Sequence, residues 1–397
     1  LADAERVAAA LGIEHHVLPL QKEFAKEVIA PFCSEYLAGR TPNPCIFCNR
    51  AIKFGEMVKA ADRLCCDLVA TGHYARIEFD HSRGRFLLKR ADTRKDQSYV
   101  LYHLSQQQLS RVLLPLAPYT KDEIRAVAAR YALPVAQKGE SQEICFVKHN
   151  DYASFVTAYT GKDTLPGDFV DEEGRVIGRH KGILHYTIGQ RKGLGQSFGR
   201  HMYVSKIDPE TNTVCLVESG REYFFGLTAT CLNAVAFDRF PASFEAQAMI
   251  RYQAKPAPCR VELTGEDRAK VTFQTPQRAV TPGQSVVFYE GDTVLGGGVI
   301  HAGIPMQKKT RRRNTFEKCF LHLLKVRFGR RSAHGFLDIS KKEWFPRIPV
   351  GFLGRERPCD FLILRADRPR RKAQRLAFPC GAFSLLCAVL DEAEKNR

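Results

Sequence analysis

A change of pattern near residue 150 constrains the fold of this chain more than any other feature. Ahead of it, helical and short apolar segments alternate: His15–Leu20 and Asp67–Ala70 look extended, whereas 4–11 and Lys121–Ala132 have helical spacing. This alternation predicts an α/β architecture, a parallel sheet covered by helices. Because the chain opens on a helix with no strand ahead of it, we expect this sheet to lack its first strand.

The remaining sequence differs from that first region in composition and in the spacing of its apolar residues. Residues 151–222 are rich in Gly, Lys and Arg, and residues 223–303 contain alternating runs at the spacing of a small β-barrel. We therefore expect an α/β domain at 1–150, a central domain at 151–222 and a C-terminal β-barrel at 223–303. Residues 304–397 have no pattern that predicts a fold, and we interpret them as a basic tail that is disordered or spurious.

Composition limits the compartment and the class of partner. The formal net charge is +17, and from residue 307 onward there are about 23 Lys and Arg against about 9 Asp and Glu. This balance suits a polyanion such as RNA but does not by itself establish one. The 13 cysteines are scattered, which favours a reducing cytoplasm over a disulfide framework. We find no apolar run long enough to span a membrane and no secretory signal.

Cys45 and Cys48 give the first indication of chemistry. Pro42 and Pro44 restrict the backbone around them, so we expect both thiols on a stiff loop. The segment Ala51–Leu64 that follows has helical spacing, and a helix N-terminus lowers the pKa of a nearby thiol. The sequence therefore predicts a reactive or metal-bound pair.

Three interpretations of this pair stay open on the residues alone. Its spacing suits a metal knuckle, but no second C-x-x-C supplies the other half of a Cys₄ zinc site. An Fe–S cluster held by Cys45, Cys48 and a distant third thiol is the second interpretation. In the third, the two are small apolar residues, and Cys145 taken alone also resembles a buried core cysteine.

Polar clusters provide the other candidates. Gly72 and His73 follow a strand, at the end of a parallel sheet where ligands bind. Lys95–Ser98 is either a solvated loop or a contact to RNA backbone and base edges. Gly189–Gly195 is a basic loop with repeated glycines, which can bring backbone N–H groups close to a phosphate.

Taken in order, these pieces resemble the tRNA-specific 2-thiouridylases, ATP-dependent enzymes that place sulfur on the wobble uridine of tRNA. The resemblance covers about residues 1–300. It implies a PP-loop ATPase domain of the adenine nucleotide alpha hydrolase type, a small central domain at 151–222 that binds tRNA and a C-terminal β-barrel. The matching runs are Gly39–Pro44, Cys48–Asn49, Ile52–Phe54, Ala70–Tyr74, Lys95–Tyr99, Ser141–Gln142, Ile144–Phe146, His185–Gly195 and Arg251–Tyr252.

The resemblance also implies a role for each candidate residue. Cys145 would carry a persulfide delivered by an upstream sulfur-carrier protein, and Cys48 would be the nucleophile that releases the sulfur or resolves a disulfide with Cys145. Gly72 would lie against ATP, which binds with Mg²⁺, and His73 would touch the tRNA. The residues implied to border the target base are Asn43, Pro44 and Cys45, and those implied to contact tRNA elsewhere are Lys95, Asp96, Gln97, Arg251, Tyr252 and Gln284. We expect a cytoplasmic monomer with no resident metal.

The sequence departs from the family pattern in three places. The family's phosphate-binding loop, Ser-Gly-Gly-Val-Asp-Ser-Ser, is absent, and we expect it ahead of residue 1 in an N-terminally truncated chain. Cys45 stands where many members have an aspartate with acid–base work. The tail matches nothing in the family. Two alternatives follow: a catalytically inactive tRNA-binding remnant, and an Fe–S-dependent sulfurtransferase that uses Cys45, Cys48 and Cys145.

Overall fold

The computed structural model describes residues 2–93, 95–133 and 144–305, together with the backbone of two short strands at 361–364 and 376–379. Apart from those two strands, the expected basic tail lies outside the described residues, and so does the Ser141–Gln142 run. Most helices precede residue 161 and most strands follow it, which agrees with the change of pattern in the sequence.

Besides three one-turn 3₁₀-helices at Ser98–Val100, Lys148–Asn150 and Ile183–His185, the described residues form six helices, and two of these six contain a π-helical segment. In such a segment each backbone N–H bonds to the carbonyl five residues back, which widens the helix and often marks a functional site. No helix in these ranges is long and apolar enough to cross a membrane. The helices are α1 (Ala2–Leu11), α2 (Gln21–Phe24, the π-helical Ala25–Ile29 and Ala30–Leu37), α3 (Pro44–Phe47, the π-helical Cys48–Glu56 and Met57–Arg63), α4 (Gln106–Leu109), α5 (Lys121–Arg130) and α6 (Tyr152–Thr160).

Strands in the described ranges belong to three sheets. One is a small sheet in the N-terminal domain, one is a central sheet, and the largest contains the barrel. The strands are β1 (Leu68–Ala70), β2 (Ala75–Asp80), β3 (Arg85–Arg90), β4 (Val112–Leu113), β5 (Gly167–Val170), β6 (Val176–His180), β7 (Met202–Asp208), β8 (Thr213–Glu218), β9 (Tyr223–Ala234), β10 (Ser243–Met249), β11 (Ala257–Gly265), β12 (Arg268–Arg278), β13 (Ser285–Glu290), β14 (Thr293–Pro305), β15 (Phe361–Leu364) and β16 (Leu376–Pro379).

The N-terminal sheet is built around β1, which runs parallel to β4 on one side and to β16 on the other. β15 pairs antiparallel with β16 at the outer edge. The predicted α/β domain with a parallel sheet is therefore confirmed. The extended run predicted at His15–Leu20 is wrong, because this segment has no ladder partner among the described residues and forms no strand.

The C-terminal barrel consists of β9 to β14 in the order β13-β10-β11-β12-β9-β14, and pairing of β13 with β14 closes it. Its core is apolar, with Val271, Phe273 and Phe288 almost fully buried. The β2–β3 hairpin of the first domain joins this sheet where Lys89 pairs with Thr293. The predicted C-terminal β-barrel is confirmed.

The central domain is a four-stranded sheet in the order β6-β5-β8-β7. Phe169, Val204 and Val214 are fully buried in its core. It meets the first domain where Ile207 packs on Gly39, a position so close that a Cβ on Gly39 would lie 3.1 Å from the Ile207 Cγ2. The φ of Gly39 is +68°, so a glycine suits this turn for two independent reasons.

A buried tyrosine network, formed by Tyr99, Tyr102 and Tyr289 with Ser98 and Ser285, holds the barrel against the first domain. The Tyr99 hydroxyl donates to the Ser285 carbonyl oxygen at 2.8 Å, and the Tyr102 hydroxyl lies 2.9 Å from the Ser285 Oγ. The Ser98 Oγ lies 3.3 Å from the Tyr289 hydroxyl. Because these polar groups are buried and bonded to each other, the barrel edge is fixed relative to the loop around residue 98.

Candidate functional site

Asn43, Pro44 and Cys45, the candidates for the target base, form the start of α3. The Asn43 side chain caps the helix by accepting a hydrogen bond from the Cys45 backbone N–H at 3.1 Å. Pro44 occupies the first turn, where its fixed φ suits a helix and its missing N–H costs nothing. The expected stiff loop is therefore wrong: the cap and the proline start the helix ahead of both Cys45 and Cys48.

Cys45 is accessible to solvent although protein surrounds most of its thiol. Its side chain is exposed, yet enough protein surrounds it that burial raises the pKa of its thiol, and the Lys53 ammonium acts in the opposite direction. The prediction of a lowered thiol pKa is wrong for Cys45, because desolvation outweighs the nearby positive charge. Cys45 is therefore a protonated thiol at neutral pH and can donate or accept a hydrogen bond.

Lys53 follows Cys45 on α3 and completes this face of the helix. It is half-buried and has no carboxylate partner in the part of the chain that the structure describes. Its charge also acts on His73, whose pKa lies well below its usual range, first because the ring is buried and second because of Lys53. His73 Nδ1 lies 2.8 Å from the Thr71 Oγ1, so the ring is held in place and is neutral at pH 7.

Cys48 and Cys145, the thiols implied to transfer sulfur, differ in exposure. Cys48 is 8% exposed and packs with Phe24 and Ile52 on the inner side of α3. Cys145 is exposed, while its neighbour Phe146 packs in the same apolar cluster as Cys48. The structure thus brings the Cys145 segment to the helix that carries Cys48.

Asp96 and Gln97 both make hydrogen bonds within the protein. The Asp96 carboxylate accepts a hydrogen bond from the Ser98 Oγ at 2.8 Å and lies 3.3 Å from the Arg90 Nε. Gln97 accepts a hydrogen bond at its Oε1 from the Tyr74 backbone N–H at 3.0 Å. The Gln97 hydrogen bond holds the segment of residues 96–98 against the loop after β1, so this segment positions that loop.

Arg251 and Tyr252 approach from the barrel. Arg251 is exposed, and Tyr252 is 36% exposed. Burial raises the pKa of Tyr252, and a hydrogen bond with Gln253 opposes this effect; the Asp96 carboxylate raises the pKa further, whereas the Lys95 ammonium lowers it. Tyr252 also lies beside the segment that follows Gln97, because its ring centroid is 6.2 Å from that of Tyr99.

Gln284 contacts the chain just ahead of α3. Its Nε2 donates to the Thr41 carbonyl oxygen at 2.8 Å, and the Thr41 N–H donates to the Pro282 carbonyl oxygen at 2.9 Å. Between them lies Gly283, where φ is +90° and a Cβ would lie 3.0 Å from the Thr41 backbone. Gln284 and Pro282 thus tie the barrel to the chain just ahead of the Asn43–Cys45 turn.

Asn49 and Lys53 are not among the site residues predicted from the sequence. Asn49 is 2% exposed; its Nδ2 donates to the Val100 carbonyl oxygen at 3.0 Å, and its Oδ1 has no hydrogen-bond partner among the described residues. The available signal was the spacing of Cys45, Asn49 and Lys53, four residues apart along a helix, which places polar groups on one face.

Metal ligands do not gather at this site. In the ranges that the structure describes, no group of three or more His, Cys, Asp or Glu side chains is placed to hold a metal ion. Cys45, Cys48 and Cys145 therefore do not form a ready ligand set for an Fe–S cluster, and we derive no step through one.

Three stretches of the chain match known protein families. Residues 1–149 match the family described as tRNA methyl transferase HUP domain. Residues 153–218 match the tRNA methyl transferase PRC-barrel domain, and residues 227–300 match the aminomethyltransferase beta-barrel domain. Together these matches follow the three parts of the fold.

Curated relatives are similar over most of their length. A tRNA-specific 2-thiouridylase MnmA of Carboxydothermus hydrogenoformans is 53% identical over 299 residues, which is 75% of this chain and 82% of the relative. Proteins with the same name from Clostridioides difficile and Acetivibrio thermocellus are 49% and 50% identical over 303 and 299 residues, covering 84% and 83% of their own length and 76% and 75% of this chain.

Proposed function

Because this chain belongs to the family of tRNA-specific 2-thiouridylases, we propose that it moves sulfur from a cysteine persulfide to C2 of the wobble uridine of tRNA in an ATP-dependent reaction. The chain is a tRNA-uridine 2-sulfurtransferase, and tRNA is its substrate. What we propose beyond this is the persulfide route, the ATP requirement and the roles of individual residues.

One observation carries the proposal. Cys48 and Phe146 pack in one apolar cluster, so the segment that carries Cys145 lies against the helix whose first turn carries Cys45. Cys145 is exposed and therefore accessible to a sulfur-carrier protein, whereas Cys48 is shielded from solvent. An accessible acceptor and a shielded resolving thiol suit persulfide chemistry, in which water and stray thiols must not intercept the sulfur.

When ATP is bound with Mg²⁺, it supplies the adenylyl group that makes the uridine C2 oxygen a leaving group. Gly72 fits such a ligand because it follows β1 at the end where nucleotides bind and has no side chain to block the backbone. Lys53 fits because it is a half-buried cation without a carboxylate partner in the described ranges. The family's phosphate-binding loop has no counterpart in residues 1–397, so we assign no further phosphate contact.

The thiols then act in two steps. The terminal sulfur of the Cys145 persulfide forms a bond to C2 while the C2–O bond breaks, and the oxygen departs with its activating group. The Cys48 thiolate next attacks the Cys145 Sγ, the S–S bond to the transferred sulfur breaks, and its electron pair passes to the 2-thiouridine. A Cys48–Cys145 disulfide remains, and a thiol reductant must supply two electrons to restore both thiols.

The proposal is tested by assaying the chain with tRNA, ATP and a persulfide donor and measuring 2-thiouridine in digested tRNA. We expect Cys145→Ser to abolish its formation, whereas Cys231→Ser, at an equally exposed cysteine in the barrel, leaves it unchanged. If the chain binds tRNA but neither consumes ATP nor forms 2-thiouridine, the proposal is wrong and the inactive tRNA-binding alternative holds.

A further inference from the structure

The hairpin of β15 and β16 adds a distant part of the chain to the sheet of the first domain. β16 pairs parallel with β1, with Leu376 opposite Leu68 and Ala377 opposite Val69, and β15 pairs with the other side of β16. The three family matches end at residue 300, so both strands lie outside them. The proposed chemistry does not use this hairpin.

β1 needs a hydrogen-bonding partner on each side, because its Val69 and Ala70 are fully buried. On the β4 side, the Val69 N–H donates to the Arg111 carbonyl oxygen at 2.8 Å. The Thr71 N–H donates to the Leu113 carbonyl oxygen at 3.0 Å. Since backbone N–H groups alternate between the two sides of a strand, the Ala70 N–H points to the opposite side, where β16 lies.

The register makes Ala377 the residue of β16 that bonds to β1. In a parallel ladder, a residue that faces the neighbouring strand bonds to the two residues on either side of the one opposite it. Ala377 lies opposite Val69, whose own N–H is directed to β4, so Ala377 pairs with Leu68 and Ala70. Its N–H is directed to the Leu68 carbonyl oxygen, and its carbonyl oxygen to the Ala70 N–H.

This pairing reaches the edge of the candidate site. Ala70 is the last residue of β1 and leads directly into the turn of Thr71, Gly72 and His73. β4 holds Thr71 from one side, and β16 holds Ala70 from the other. The Met57–Arg63 part of α3 lies against both β1 and β16, so the added strand belongs to the layer beneath the helix that carries Cys48.

We propose that β16 is a positioning strand for the nucleotide site: its pairing with β1 fixes the turn of Thr71–His73 in the place where ATP binds. This inference rests on the proposed function, because it takes Gly72 as the residue that lies against ATP. Ligands of parallel sheets bind beyond the carboxyl ends of the strands, and β1 and β16 end at the same edge. The strand acts through its backbone and contributes no group to the reaction.

The test is Ala377→Pro in the full chain. Proline has no N–H to donate to Leu68, and its ring does not fit an inner ladder position, so we expect β16 to leave β1. Exchange of the Ala70 amide hydrogen with deuterium should become about 10-fold faster or more, because that amide loses its partner. The KM for ATP should rise about 10-fold with kcat nearly unchanged, since the variant weakens binding and removes no reacting group.

The matched control is Ile363→Pro in the same hairpin. Ile363 lies opposite Ala377, whose N–H and carbonyl groups face β1, so the backbone groups of Ile363 point away from β16. Proline at this edge position removes no ladder hydrogen bond. We expect wild-type exchange at Ala70 and a wild-type KM for ATP.

The outcomes separate this inference from the function on which it rests. Unchanged exchange at Ala70 in Ala377→Pro would overturn the pairing, and faster exchange with an unchanged KM would overturn the positioning role. If the wild-type chain consumes no ATP, the proposed function fails, and the His73 ring decides the inference. Burial holds the pKa of His73 low; it rises toward its usual value in Ala377→Pro if β16 positions the turn, and a pKa that stays low contradicts the inference.

Discussion

Two sides of the candidate site, which we call walls, differ in how far their polar groups are hydrogen-bonded within the protein. The catalytic wall, which we define as Cys45, Asn49, Lys53 and His73, contains a thiol of raised pKa, an amide oxygen without a partner in the described chain, an unpaired cation and a neutral imidazole. The barrel wall, which we define as residues 279–285, is bonded throughout: Gln284 and Pro282 hold Thr41, and Ser285 bonds two tyrosines.

From this difference we infer that the catalytic wall performs the chemistry and that the barrel wall positions it. Shifted pKa values and unsatisfied polar groups cost stability, so they are typical of sites where a ligand completes the set. Satisfied networks rigidify the structure and fix geometry. We therefore expect changes in the α3 region to affect catalysis with little loss of stability, and changes at the barrel wall to affect positioning or stability instead.

The largest effect is expected from Cys48→Ser, which removes the thiol that we propose as the resolving one. We expect the rate of 2-thiouridine formation to fall by about 10³-fold or more, because a hydroxyl cannot replace a thiolate in disulfide exchange. Cys33→Ser is the control, since Cys33 is equally buried in α2 and burial raises the pKa of its thiol to about 11. Comparable losses in both variants would show that packing, not chemistry, accounts for the effect.

Lys53→Met is expected to lower kcat by about 10- to 100-fold, since it removes a preorganised charge from the catalytic wall. It also raises the pKa of Cys45 further, because Lys53 opposes the effect of burial there. Alkylation of Cys45 by iodoacetamide at pH 7.5 should therefore become slower, as less thiolate is present. Lys59→Met, on the same helix but paired with Glu56 at 2.7 Å, should change neither rate. Faster alkylation in Lys53→Met would contradict the assignment.

Gln284→Ala tests the barrel wall and is expected to act through position. The variant loses the hydrogen bond to Thr41 while the Pro282–Thr41 bond remains. A lost hydrogen bond of about 1 kcal/mol corresponds to roughly a 5-fold fall in kcat/KM. Gln277→Ala, whose side chain bonds only within its own strand, is the control. A loss of kcat as large as that of Lys53→Met would remove the distinction between the two walls.

Tyr99→Phe is expected to have the smallest effect on activity. It removes the 2.8 Å hydrogen bond to the Ser285 carbonyl oxygen and leaves that oxygen buried, so the free energy of unfolding falls by about 1 kcal/mol. Urea unfolding measures this change, with Tyr159→Phe at an exposed ring as the control. If Tyr99→Phe lost thiolation activity without losing stability, Tyr99 would take part in the reaction. That result would contradict the distinction between the catalytic wall and the barrel wall.

The fold was predictable where local pattern determines it. Alternating runs between Glu222 and Ile300 predicted the barrel, and the helix–strand alternation predicted the parallel sheet, because both patterns reflect which side of an element is buried. The start of α3 was missed because the two prolines were interpreted as loop residues, although Asn43 and Pro44 also form a helix N-cap and first turn.

The site was only partly predictable, because sequence pattern does not encode contacts between distant residues. Gln284 and Thr41 are separated by 243 positions, and nothing in either run indicates their hydrogen bond. The pairing of β16 with β1 is equally nonlocal, as Leu376 lies opposite Leu68. The raised pKa of Cys45 depends on the protein packed around it, which a helix N-terminus alone does not specify.

The most direct test of the central claim, that Cys48 and Cys145 act as a pair, is a single turnover without reductant. The chain is loaded with persulfide, mixed with tRNA and ATP, quenched with an alkylating agent and digested for mass spectrometry. We predict about one Cys48–Cys145 disulfide for each 2-thiouridine formed. Formation of 2-thiouridine while both cysteines are recovered in alkylated form would contradict the account.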